Sequence, residues 1–183
     1  MYIIMSWETL DLNEDLSRGI YRFGFEKPTP IQEKGIPAII GGRDVIGQGQ
    51  SGTGKTGTFV IGSLNKVDVK SRTTQVLILA PTFELVKQIS SIVSAIGSAM
   101  DGLVVKTLVG GTSVNDDTKD LRNNCPHVVV GTAGRVYDMI QRRALLTDGI
   151  KIFVLDEADE MLSKGFKEQM YDCLLYTSDA ADE

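Results

Sequence analysis

Gly49 to Thr56 reads GQSGTGKT, and the organisation of the rest of the chain follows from it. The order Gly, four residues, Gly, Lys, Thr is the phosphate-loop pattern. Glycines let the backbone turn tightly and aim successive N–H groups at phosphate oxygens. A helix opening at Lys55 adds the favourable field of its N-terminus. Gln50, Ser51, Gly52, Thr53 and Gly54 would cradle the phosphates of a nucleotide. Lys55 would reach the β- and γ-phosphates, and Thr56 would place its hydroxyl on Mg2+. The pattern is credible between a strand and a helix. The flanks predict both: Asp44 to Ile46 as a short strand, Lys55 to Leu64 as a helix.

Lys151 to Glu160, KIFVLDEADE, supplies a second half. Asp156 follows a strongly apolar run and is predicted at the carboxyl end of a buried strand. A Mg2+-side carboxylate belongs there beside a phosphate loop. Glu157, one residue on, suits orientation or deprotonation of a water attacking the γ-phosphate. Alone, this stretch also reads as a solvated acidic helix start. With the phosphate loop it implies a nucleoside triphosphatase using ATP and Mg2+, with Lys55, Asp156 and Glu157 as its catalytic residues.

Further strands are predicted at Gln75 to Ala80, Val104 to Val109, His127 to Val130 and Lys151 to Leu155. They are short, rich in branched residues and apolar on both faces, as buried parallel strands are. Helical stretches alternate with them at Leu10 to Tyr21, from Thr29 or Pro30 to Gly41, Phe83 to Ile96, Asp116 to Asn123, Arg135 to Gln141 and from Glu160 onward. The alternation predicts an α/β fold, a mostly parallel sheet with helices on both faces. Ligands of such folds bind at the carboxyl ends of the strands.

Composition narrows the partners. Nineteen basic residues against twenty-four acidic ones give a formal charge of −5. That excludes a strongly basic, arm-like nucleic-acid binder, but not one working through local contacts and backbone amides. Two cysteines and one histidine exclude a cysteine-rich or histidine-rich metal centre. No window approaches the ~20 apolar residues of a membrane span. A cytoplasmic or nuclear protein with no membrane partner is expected.

With DEAD at Asp156 to Asp159, the chain resembles the DEAD-box ATP-dependent RNA helicases. The resemblance runs from about Trp7 to Asp172, and several motifs agree in order. It implies a RecA-like phosphate-loop domain. GFEKPTPIQ, Gly24 to Gln32, resembles the adenine-recognition motif; Gln32 would read the adenine edge and Phe25 would stack on the ring. Read from the residues alone, Phe25 could equally be core and Gln32 a surface helix residue. Trp7 stands where the family carries an upstream phenylalanine. Pro81 and Thr82 of PTFEL, the pair Gly110 and Gly111, and Thr132, Gly134 and Arg135 of TAGR resemble the RNA-contacting segments. Such contacts read phosphate backbone and not base identity, so single-stranded or locally duplex RNA is the implied partner, without DNA specificity. Asp159 would couple the nucleotide site to a downstream Ser-Ala-Thr motif. DEADEMLSKGF, Asp156 to Phe166, tilts the resemblance toward the translation-initiation group, whose partners include scaffold proteins. A non-catalytic RNA- or partner-binding domain, or an exon-junction or ribosome-assembly relative, is the alternative.

Three departures stand out. Phe83 replaces the family's arginine, either facing the core or leaving an exposed apolar spot on the RNA side. Ala133 stands in place of proline, and Gly49 in place of alanine. At the end, CLLYTSDAADE, Cys173 to Glu183, carries no family motif. It resembles a reading-frame translation of a transposase-type sequencing adapter. The expected organisation is therefore a first RecA-like domain over 1–172, a non-native tail over 173–183, and no second RecA-like domain. Such a fragment is expected to bind nucleotide without unwinding RNA.

Overall fold

The computed structural model describes residues 6–178. The chain divides into two compact units, residues 1–67 with 92–101, and residues 68–91 with 102–183.

The first unit includes the α-helices α1 (Glu14–Phe23), α2 (Pro30–Ile40) and α3 (Lys55–Leu64). Asn13 caps α1 by accepting from the Leu16 N–H at 2.7 Å, and Gly24 closes it in the left-handed conformation. That conformation is cheap only for glycine. Pro30 sits in the first turn of α2, where its missing N–H costs nothing. Leu16, Ile20, Ile36, Ile61 and Leu64 are fully buried here, at helical spacings along their elements. Burial of each is worth about 1.5–3 kcal/mol. Trp7 is buried too; its indole N–H donates to the Phe25 carbonyl at 2.9 Å.

The second unit is built on four parallel strands, β1 (Val76–Leu79), β2 (Val105–Leu108), β3 (Val128–Gly131) and β4 (Ile152–Leu155), in the order β2-β3-β1-β4. Between them in sequence run α4 (Phe83–Ile96), α5 (Val114–Asn124) and α6 (Ala133–Gln141); α7 (Ala158–Ser163) and α8 (Lys167–Ser178) follow β4. The division between the units passes through α4. β1 and β3 are buried along their whole length, which explains their unbroken apolar runs. Leu79 pairs with Gly131 and Leu155, and Leu108 pairs with Gly131. All four carboxyl ends therefore lie at one end of the sheet.

Two expectations need correction. Asp44 to Ile46 is not a strand: residues 43–50 are irregular and exposed, and Ile46 is 100% exposed. Val45 and Ile46 are only two apolar residues. Arg43 and Asp44 precede them, and Gly47 and Gly49 follow. Glycine inside a strand is entropically costly and packs nothing. The second concerns the tail expected over 173–183, part of which packs into the fold. Helix α8 continues through it to Ser178, and Met170, Cys173 and Thr177 form one buried stripe. Their spacings of three and four residues are helical. Burial, helped by the neighbouring Asp172, pushes the Cys173 thiol up to about 12, so it stays protonated and unreactive. Residues 179–183 of the expected tail lie outside the described residues.

Candidate functional site

The phosphate loop sits at the start of α3. Gly52 and Gly54 both take positive φ, at 80° and 100°. Gly54 is the N-cap of α3 and offers no side chain to cap it. The first-turn N–H groups of Lys55, Thr56 and Gly57 therefore have no intrahelical acceptor. That is the donor set an anion needs. Lys55 Nζ donates to the carbonyls of Gly49 and, at 2.9 Å, Gln50, and the Thr53 hydroxyl donates to the Gln50 carbonyl at 2.8 Å. These bonds hold the loop curled around the lysine.

Gln32 lies against the base of this loop and is 2% exposed. Its Oε1 accepts from the Thr29 N–H at 2.9 Å, and its Nε2 donates to the Gly54 carbonyl at 3.3 Å. A primary amide has two donors and two lone pairs, so these two bonds use one of each. The Thr29 hydroxyl donates to the Thr53 carbonyl at 3.0 Å, a second tie between α2 and the loop. A Cβ on Gly57 would stand 2.6 Å from Gln32 Nε2 and 3.1 Å from Phe25 Cε2. Phe25, Gln32 and the first turn of α3 thus share one place, and only glycine fits between them. One face of Phe25 stacks on Trp7 at 6.2 Å between ring centroids, and Phe23 meets it edge-on at 4.8 Å. Sequence reasoning placed Trp7 in the motif but missed that it anchors Phe25. A lone tryptophan eighteen residues upstream gives no periodic signal for such a pairing.

In the second unit, the parallel register carries four segments to one end of the sheet. Pro81 and Thr82 follow β1; Gly110 and Gly111 follow β2; Thr132, Gly134 and Arg135 follow β3; Asp156, Glu157 and Asp159 follow β4. The strand ladder runs on into them. Ala80 N–H donates to Gly131, Thr132 N–H to Leu108 and Asp156 N–H to Leu79, each at 3.0 Å. The Thr82 hydroxyl accepts from the Leu85 N–H at 3.2 Å and starts α4. Side chains added at Gly110, Gly111 or Gly134 would meet nothing within 4 Å, so their backbone is approachable from outside. Helix α6 begins at Ala133 without the family's proline.

Arg135 departs from the simple expectation of a phosphate ligand. Its side chain is only 8% exposed, Nη2 donates to the Thr112 carbonyl at 2.7 Å, and Nη1 lies 3.4 Å from Asp117 Oδ2. Phe83 is exposed rather than core-facing, at 40%, and Lys87 Nζ rests 4.5 Å above its ring. Such a cation–π contact is worth about 0.5–1 kcal/mol at an exposed site.

The acidic cluster is polarised. Glu157 takes a left-handed backbone at φ 51°, ψ 49°, uncommon for a residue with a Cβ. A hydrogen bond with Glu160, then partial burial and the charges of Glu160, Asp156 and Asp159, hold its carboxyl above the usual range. Glu160 is held below it by its bond to Lys164 and then by Glu157. Of the two carboxyls, Glu157 is therefore the more readily protonated. Among the described residues no group of three or more acidic, histidine or cysteine side chains forms a metal cage. Mg2+ does not require one, since it keeps waters and is completed by substrate phosphates.

A family model described as DEAD/DEAH box helicase matches residues 29–181. The chain belongs to that family. Among curated DEAD/DEAH box helicases it is similar to ATP-dependent RNA helicase eIF4A of Pyricularia oryzae, 57% identical over 167 residues, and of Phaeosphaeria nodorum, 56% identical. Each match covers 91% of this chain and 42% of the relative, so the chain spans about two fifths of the length of these helicases. Among solved structures it resembles a DEAD box protein of Methanococcus jannaschii, with a TM-score of 0.88 at 34% identity, covering 94% of this chain and 47% of that one. It also resembles Saccharomyces cerevisiae Dbp5 bound to RNA and ADP BeF3, with a TM-score of 0.80 at 35% identity, covering 90% and 41%. The fold is thus the RecA-like α/β fold of the DEAD/DEAH box helicases, and membership implies use of ATP and Mg2+.

Proposed function

We propose that the chain is the first RecA-like domain, over 1–172, of an ATP-dependent RNA helicase acting in translation initiation. The observation that carries the nucleotide half is the bond from Gln32 to Gly54, which seats an adenine-reading amide on the base of the phosphate loop. Gln50 to Thr56 would hold the phosphates, Gln32 and Phe25 the adenine, and Thr56 and Asp156 the Mg2+. Bound Mg2+ would offset charge on the phosphates. Lys55 would exchange its two loop carbonyls for phosphate oxygens, a gain because an anionic acceptor replaces neutral ones. Glu157 would orient the attacking water and take its proton. Asp159 would pass the state of the site onward.

Pro81, Thr82, Gly110, Gly111, Thr132 and Gly134 would grip one RNA strand by its phosphates, through backbone amides and hydroxyls. An acidic chain can do so because these contacts need little net positive charge. Scaffold proteins of initiation and a cytoplasmic location belong to the same reading, supported by the identity to eIF4A. Residues 173–183 are read as a non-native tail, of which 173–178 belong to α8.

Hydrolysis in this class also needs cations that close over the transferred phosphate, as an arginine finger does, worth roughly 10³–10⁵ in rate. We assign those to a second domain. The 183-residue chain should therefore release phosphate from ATP at background rate, with or without oligo(U) RNA. A continuous phosphate-release assay checks this. RNA-stimulated turnover by the chain alone contradicts it.

A further inference from the structure

Asp117 is buried, at 5% exposure, although it lies one turn into α5 among solvated residues. A carboxylate is buried at such depth only when its charge is paired and its lone pairs are used. Asp117 meets both conditions. Lys106 Nζ, from β2, lies 3.0 Å from Oδ1. The Thr112 hydroxyl lies 2.9 Å from Oδ2, and the Arg135 guanidinium approaches the same oxygen at 3.4 Å. Arg135 in turn donates to the Thr112 carbonyl, while its buried Nη1 makes no hydrogen bond. Thr112 is therefore held at both ends, by its hydroxyl and by its carbonyl. It immediately follows Gly110 and Gly111, and Gly111 takes a φ of 86°. Nothing else packs on that glycine pair within 4 Å of where side chains would stand. The Thr112 hydroxyl also lies 3.0 Å from the Val109 carbonyl, so Thr112 closes the turn over the pair.

We propose that Asp117 is a positioning residue for RNA binding: it fixes the Gly110–Thr112 turn through Thr112 and Arg135, and Arg135 acts on RNA through that turn and not as a phosphate ligand. The proposal rests on reading the carboxyl end of the sheet as the RNA face. It reverses the sign of the simplest electrostatic expectation. Removing a carboxylate near a polyanion ordinarily strengthens binding. Removing this one releases the turn and weakens binding.

The test uses the whole chain with fluorescein-labelled oligo(U) at low salt, where phosphate contacts count most. Asp117→Asn keeps the side-chain shape and loses the charge. It should bind oligo(U) about tenfold more weakly, the effect of one lost charge-assisted contact. Arg135→Gln should lose about as much, and the double variant no more than either alone, because both act through one turn. The slope of log Kd against log salt should be unchanged in Arg135→Gln. A lost direct phosphate contact to a single strand would lower it by about 0.7. Amide hydrogen exchange over residues 109–113 should quicken in both variants. Affinity for fluorescent ADP should not change, which separates a released turn from general unfolding. Tighter RNA binding by Asp117→Asn, a reduced slope in Arg135→Gln, or unchanged exchange over 109–113 overturns the proposal. Failure of the underlying RNA reading looks different: the unmodified chain does not bind oligo(U) at all.

Discussion

Gly19→Ala should be the most destabilising single methyl addition in the first unit. Gly19 is buried in α1, and a Cβ there would stand 1.8 Å from the carbonyl oxygen of Ile96. The obstacle is backbone, so no rotamer change relieves it. Helix α1 must move away from the turn that ends α4. Alanine improves helix propensity by at most about 1 kcal/mol. Overpacking of this kind costs about 1–3 kcal/mol and more where backbone must shift. We expect a net loss of about 3 kcal/mol, a fall in Tm of roughly 6–12 °C for a domain of this size. Trp7 is the single tryptophan and is buried in the same unit, so its fluorescence reports the transition. Gly110→Ala, where a side chain meets open space, should leave Tm within about 1 °C and serves as the control. Equal melting of Gly19→Ala and the unmodified chain would contradict the packing described for α1.

Lys55→Ala should abolish measurable nucleotide binding while leaving the fold intact. The lysine is the one cation inside the loop sequence, and its Nζ already bridges the carbonyls of Gly49 and Gln50. Truncation removes a charge-assisted bond to the terminal phosphates and the tie that keeps the loop curled. We expect affinity for ADP with Mg2+ to fall at least about 100-fold, near 2.7 kcal/mol. Tm should shift little, because Lys55 carries no core packing. Titration of fluorescent ADP, beside a tryptophan-monitored melt, measures both. Unchanged affinity would place nucleotide binding elsewhere, and an equal collapse of Tm would make the loss structural.

Much of this was legible in the sequence, for local reasons. Helices α3 and α4 begin and end where their motifs predicted, because a glycine-rich turn sets one start and a Thr cap sets the other. Strands β1 and β3 are legible because burial on both faces leaves an unbroken apolar run. The register then carries the segments that follow the four strands to one end of the sheet with no further signal needed. The failures have tertiary causes. Val45 and Ile46 looked like a strand, yet two apolar residues beside two glycines do not by themselves hold a place in a sheet. Arg135 looked like a phosphate ligand, but its direction is set by Asp117, eighteen residues away in sequence. Asp117 itself was invisible: among Asn115, Asp116, Lys119 and Asp120 it reads as one more solvated charge. Only the fold shows that Lys106, Thr112 and Arg135 converge on it. The helix expected from Glu160 onward reaches Ser178, but the buried stripe of its last turns was not legible, because Cys173 and Thr177 are weak hydrophobic signals and their burial depends on packing.

An adenine-specific site assembled from Phe25, Gln32 and the phosphate loop underlies the proposed function. Its most direct test is competition between ADP and GDP for the chain, in Mg2+, against fluorescent ADP. Guanine presents an acceptor at position 6 where adenine presents a donor, so the remaining lone pair and N–H of Gln32 match only one of them. ADP should displace the probe, and GDP should do so at least about tenfold less well. Equal displacement by the two, or no binding of the probe, would contradict it.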